Sequence, residues 1–187
     1  MKLYHYFERD AGPFRSISDL PDREAEAVLQ RIRTEHPDLF PARRPADYLQ
    51  KRRRFEEILR TAFLQKGGLA ERETPHYLVV AACPFLEKWY EHTAWITVDT
   101  DRLDLRTLSF TYGDSHPTFS GKIRDGKEYR NRLYTYDEIL SVIDRYGLPQ
   151  DWNPDCKLGP ECYIEVQMWT DRGLENWVRP PRLHLRN

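Results

Sequence analysis

The spacing of apolar residues changes several times along the chain, and each change predicts an element. Residues 2 to 7 read KLYHYF, a β-rich opening in which Leu3, His5 and Phe7 share one face of a strand. Past the Gly12-Pro13 break, Ala25, Val28, Leu29 and Ile32 fall at helical spacing behind Asp22, a candidate cap, and Pro37, Pro41 and Pro45 end the run. Tyr48, Phe55, Ile58, Leu59, Ala62 and Phe63 repeat near 3.6, which predicts a helix over 47–66 stopped by Gly67-Gly68. Strand-like segments follow at 76–82 (HYLVVAA), 94–99 (AWITVD) and 108–112 (LSFTY), with a short helical turn over 85–91. Residues 113–132 are polar and Gly-containing, a long loop whose length suits a lid or substrate loop. Thr135 and Glu138 form a capping-box pair ahead of Ile139, Leu140 and Ile143, and Gly147 with Pro149 closes that helix. After the loop DWNPDCKLGPE, residues 163–169 (YIEVQMW) alternate, with Ile164, Val166 and Met168 on one face and Tyr163, Glu165 and Gln167 on the other. This reads as a strand with one buried face; from local pattern alone, Glu165 either faces water or serves a site.

These elements predict an α+β protein with a central, mostly antiparallel sheet and helices packed on it. At 187 residues, without an internal repeat or a dividing linker, residues 1–187 are expected to form a single domain. Hydrophobic residues at 40% supply a core, which excludes a disordered chain. Lys plus Arg (29) nearly balance Asp plus Glu (30), so no global field draws the molecule onto a polyanion and any nucleic-acid contact is local. The opening MKLYHYFERD lacks a secretory h-region, no stretch approaches the roughly 18 apolar residues of a membrane span, and no membrane partner is expected. Cys83, Cys156 and Cys162 are odd in number and show no disulfide framework; unpaired cysteines in a reducing cytoplasm are the expectation.

The signatures of serine hydrolases, P-loop NTPases, Rossmann dehydrogenases and zincins are missing. Cys156 and Cys162, with His184, lack the tight paired spacing of tetrahedral zinc, so no metal is expected there. Lys51-Arg52-Arg53-Arg54, with Arg43 and Arg44 upstream, offers guanidinium forks to an anion, but Glu56 and Glu57 follow at once and also fit a solvated helix face with internal ion pairs. His5 is either a satisfied, semi-buried strand residue or a ligand contact.

Taken together, LYHYF at the start, WITVDTDRLDLRTLSFTYGD in the middle and PECYIEVQMW near the end resemble, in order and spacing, the landmarks of the DarT-type ADP-ribosyltransferase toxins. The turn reads Phe110-Thr111-Tyr112-Gly113 where that family has F-T-D-G, and the match covers about half the chain. FTYGDSHPTF and GPECYIEVQMW resemble equally a bacterial family without an assigned activity. The first resemblance implies a split, transferase-like sheet and an NAD-consuming enzyme that passes ADP-ribose to nucleic acid or protein without a metal, as a toxin or defence component. It implies Glu165 as the catalytic carboxylate, His5 against the adenosine-side ribose of NAD, Tyr112 or another aromatic of the central sheet stacked on nicotinamide, and an arginine of the 43–54 region, Arg53 among them, on the pyrophosphate. Two other classes stay open. One is a non-catalytic interaction module using Trp89, Tyr90, Trp95, Trp152, Trp169 or Trp177; the other is a metal-dependent hydrolase or nuclease gathering Asp99, Asp101, Asp114 and Glu165 around a hard cation.

Overall fold

The computed structural model describes residues 1–177, so His184 lies outside the described residues. Five strands, β1 (Lys2–Glu8), β2 (His76–Val80), β3 (Thr93–Asp99), β4 (Leu108–Tyr112) and β5 (Ile164–Met168), form one sheet in the order β3-β1-β2-β5-β4. Every strand pair is antiparallel. The main helices are α1 (Asp22–Glu35), α2 (Tyr48–Gln65) and α5 (Tyr136–Tyr146), with short turns α3 (Pro84–Glu87), α4 (Ser115–Phe119) and α6 (Pro149–Trp152). The α+β expectation holds, and among the described residues no helix is long and apolar enough to cross a membrane.

Both faces of the sheet are covered. On one face Leu3, Leu78, Val80, Phe110, Ile164, Val166 and Met168 pack against Ile139 of α5, with Val142 and Ile143 alongside. On the other, Leu59 and Phe63 of α2 meet Trp169, while Leu86 of α3 joins Tyr6, Val79, Cys83 and Tyr163. α1 rests on the outer side of α2 through Ala25, Leu29 and Leu49. The expectation of one wet face on the last strand is therefore corrected. All five residues of β5 are buried, because β5 lies between β2 and β4 and has helices above and below.

The capping box at Thr135 forms, with the Thr135 N–H donating to the Glu138 carboxylate (2.8 Å), and Gly147 at φ 72° ends α5. Asp22 is the first residue of α1 rather than its cap, which is Pro21. Residues 113–132 are not one open loop: they contain α4, and Tyr129 and Arg130 are buried. Cys156 and Cys162 are joined by a disulfide, which corrects the expectation of unpaired cysteines, and Cys83 is free and buried. Five residues of a turn-rich loop separate the pair, so backbone folding, not a multi-bridge framework, brings them together.

Trp169 is fully buried, stacks on Phe63 with centroids 6.1 Å apart, and donates its indole N–H to Ser109 (2.9 Å). Trp169→Ala is expected to cost about 3–5 kcal/mol in a denaturant titration with an unchanged m-value. Thr135→Ala, which removes only a cap, is expected to cost about 1 kcal/mol in the same titration.

Candidate functional site

Side chains on neighbouring strands share a face when their residues are paired, so the register decides which landmark residues can meet. Tyr4 pairs with Val79, Val79 with Glu165, and Glu165 with Thr111; these four lie on the face covered by α2. Leu3 pairs with Val80, Leu78 with Val166, and Tyr112 with Ile164, which puts His5 and Tyr112 on the face covered by α5. Glu165 therefore stands on the opposite side of the sheet from both. His5 and Tyr112 cannot reach into one hollow with it.

The environments of those two residues agree with this placement. The His5 ring stacks on Phe14 at 4.3 Å; its Nε2 accepts from the Phe14 N–H (2.8 Å), which leaves Nδ1 to carry the proton and donate to the Tyr77 carbonyl (2.8 Å). Burial lowers its pKa to about 4, so the ring is a neutral connector between the 9–14 segment and the sheet. Tyr112 is fully buried, donates to the Tyr146 and Gly147 carbonyls (3.2 and 2.9 Å) and accepts from Trp152 Nε1 (3.3 Å). Arg53 lies on the α2 side, but its guanidinium turns outward to the Leu20 carbonyl (2.7 Å) and Asp22 (2.9 Å).

Glu165 heads a buried polar layer. Its Oε1 accepts from Gln167 Nε2 (2.9 Å), Gln167 accepts from Ser109 (2.8 Å), and Ser109 accepts from Trp169. Beside it Tyr163 donates to Asp114 Oδ2 (2.9 Å), and Asp114 Oδ1 accepts from the His116 backbone N–H (2.7 Å). From α2, Arg52 lies 4.7 Å over the Tyr77 ring and 3.0 Å from Glu56, whose Oε1 also accepts from Tyr77 (3.0 Å) and Ser18 (2.8 Å). Glu165 is only 7% exposed. Burial raises its pKa from 4.5 to about 8, the Asp114 charge adds to the rise, and hydrogen bonds from Ser115 and Gln167 with the Arg52 charge oppose it. Burial also pushes the Tyr77 and Tyr163 hydroxyls well above their usual range, so both act as donors.

Toward the outer edge of this layer the side chains become basic and aromatic. The Arg44 guanidinium sits 4.3 Å over Tyr48 and 5.8 Å from the Trp89 ring, and Trp89 stacks on Phe40 at 4.3 Å. Lys51, Lys122 and Arg44 act together on His116, whose pKa is lowered by burial and then by those charges, against Asp114. The indole N–H of Trp89 and Nε2 of His116 are buried without a partner among the described residues. The arrangement can seat an anionic, flat-faced group beside a carboxyl held near neutrality.

The basic run is divided by the helix. Arg52 is a buried ion-pair partner, Lys51 pairs with Asp47 (2.5 Å), and Arg53 caps the preceding turn. Arg44, outside α2, makes no ion pair among the described residues, and helical spacing within the run could not single it out. Arg52 and Glu56 are legible as an i,i+4 pair, but their burial is not. Asp99 ends β3 at one sheet edge while Glu165 stands three strands away, so the four carboxylates of the hydrolase reading cannot converge. Among the described residues no three His, Cys, Asp or Glu side chains are grouped to hold a metal ion. Comparison of the chain with protein-family models, curated proteins and solved structures finds no match.

In the unfolded chain Glu165 ionises near 4.5 and in the fold near 8, so between these values the folded state keeps a proton the unfolded state has released. Stability is expected to fall as pH rises from about 4.5 to about 8. Glu165→Gln should remove that slope, gaining on the wild type across the window by on the order of a few kcal/mol, measured by denaturation at pH 5, 6.5 and 8.

Proposed function

We propose that the layer around Glu165 is the reaction centre of an NAD-dependent ADP-ribosyltransferase-like protein. The carrying observation is a buried carboxyl with a strongly raised pKa beside a second carboxylate, with a guanidinium and tyrosines around it and at its edge a ring-stacked Arg44 that has no ion pair among the described residues. In this reading Glu165 binds the nicotinamide-side ribose and, once ionised, stabilises the positive charge that develops as the glycosidic bond breaks. The acceptor, a group on nucleic acid or protein, then attacks the anomeric carbon. Nicotinamide carries a positive charge before it leaves, which favours the ionised carboxyl when NAD is bound. Arg44, rather than Arg53, holds the pyrophosphate, and Trp89 or Tyr48 supplies the stacking surface in place of Tyr112. His5 is not part of the site. Entry of NAD requires α3 or α4 to move, since the layer is closed over Glu165.

A second reading, a non-catalytic interaction module, draws support from the separation of His5 from Glu165 on opposite faces of the sheet. One experiment separates the two. With NAD, the transferase reading expects a rise in melting temperature and release of nicotinamide that increases from pH 6 to pH 8. Glu165→Gln should lower release at least about 100-fold with NAD binding retained, Arg44→Ala should weaken NAD binding about tenfold, and His5→Asn should change neither. Neither stabilisation nor release with NAD, across a panel of nucleic-acid and protein acceptors, would leave the interaction module.

A further inference from the structure

On the flank of α2 away from Arg44, a groove of about 370 Å³ is lined by Arg53, Glu56, Glu57, Arg60, Glu73 and Thr74. Along the helix these alternate in charge: Arg53, then Glu56 and Glu57, then Arg60, at the i,i+3 and i,i+4 spacing that puts neighbours about 5–6 Å apart. Such spacing ordinarily satisfies itself. Here it does not. No ion pair joins Arg53 to Glu57 or Glu56 to Arg60 among the described residues; Arg60 meets only the Arg72 and Ala70 carbonyls (3.2 and 3.3 Å), and Glu57 and Glu73 have no cationic partner there.

Glu56 makes the case stronger. Its side chain is 2% exposed, and three donors, Ser18, Tyr77 and Arg52, all address Oε1. Oε2 is buried with no partner, and Nε of Arg53, also at the groove, is a buried donor with none. A buried carboxylate oxygen left unpaired costs about 1–3 kcal/mol or more, so its natural complement is an N–H donor, and the complement of Arg53 Nε is an acceptor.

The geometry points to a binding site for a small zwitterion, an α-amino acid, with its ammonium toward Glu56, Glu57 and Glu73 and its carboxylate toward Arg60. A volume of about 370 Å³ is large enough for one amino acid. Glu57 and Arg60 stand at i,i+3 on α2, so one rigid helix presents both signs of charge to the ligand. The site touches the Glu165 layer through Tyr77, whose hydroxyl holds Glu56 from the sheet side, and through Arg52, which pairs with Glu56.

The test is a titration of the whole chain, followed by amide NMR shifts and melting temperature, with glycine, L-serine and L-glutamine up to on the order of 10 mM. N-acetylglycine and glycinamide, each lacking one charge, serve as controls. Saturable binding of at least one amino acid with both capped forms at least about tenfold weaker is the expected result, and Arg60→Gln should weaken that binding about tenfold. Glu56→Gln tests the buried oxygen; should it fail to fold, Arg60→Gln and the exposed Glu57→Gln carry the test. Glu165→Gln should bind as the wild type does, which keeps this outcome separate from that of the NAD experiment. No saturation by any of the three, or equal binding of the capped forms, overturns the proposal.

Discussion

Covering β5 on both faces is the constraint on which the rest of this structure depends. A strand enclosed in this way ordinarily carries apolar residues throughout, yet β5 and the residues flanking it put Tyr163, Glu165, Gln167 and Trp169 on the face covered by α2 and α3. Each polar group must then find a partner inside the protein, because an unpaired one forfeits the full cost of leaving water. The chain meets this with a ladder, Trp169 to Ser109 to Gln167 to Glu165, that runs along β5 and onto β4. Glu165 is the end of the ladder. There the supply of donors runs short, and the group stays protonated to higher pH instead of being paired as an ion. The same layer is thus both a packing device, locked by tryptophan at one end, and a source of unusual acidity at the other.

Charge balance across the layer follows from α2. Glu56, Asp114 and Glu165 bring three carboxyl groups to one region, and Arg52 is the guanidinium buried among them. Because Arg52 spends its donors on Ser18, Glu56, Tyr48 and Ser16, its field reaches Glu165 only at a distance. A neutral glutamic acid is the lower-energy answer to an excess of negative charge in a poorly solvated place.

Much of the fold was legible in the sequence and the site only in part, for a reason found in particular residues. The helix at Thr135 was readable because its cap and its stop are written in local chemistry, Thr135 with Glu138 at one end and Gly147 at the other. The alternation of β5 was readable for the same reason. What alternation cannot convey is which face of one strand matches which face of another far along the chain; that depends on register, and a shift of one residue exchanges the faces. His5 and Glu165 sit on strands separated by β2, and the pairings Leu3 with Val80 and Val79 with Glu165 put them on opposite sides. Nor could the residues alone tell a solvated Glu56 from a buried one, since the same i,i+4 pair with Arg52 suits both.

The segment 113–132 shows how tertiary contacts overrule composition. It is polar and carries glycine, as a mobile lid would, but Arg130 and Lys127 both engage Glu161, which is fully buried, and Tyr129 packs 4.8 Å from Tyr112. Glu161 is itself fixed, since Asn153 donates to the Glu161 and Gly159 carbonyls (2.7 and 3.1 Å) and accepts from Leu158 N–H (2.8 Å), and the Cys156–Cys162 bridge closes the same turn. The far end of the segment is therefore clasped to the turn that leads into β5. Its near end, with Asp114, Ser115 and His116, faces Glu165 and Arg44. Both ends of the segment are thus tied, the far one through Glu161 and the near one through the Tyr163–Asp114 hydrogen bond, so the polar layer is closed by tertiary contacts and not by a loose loop.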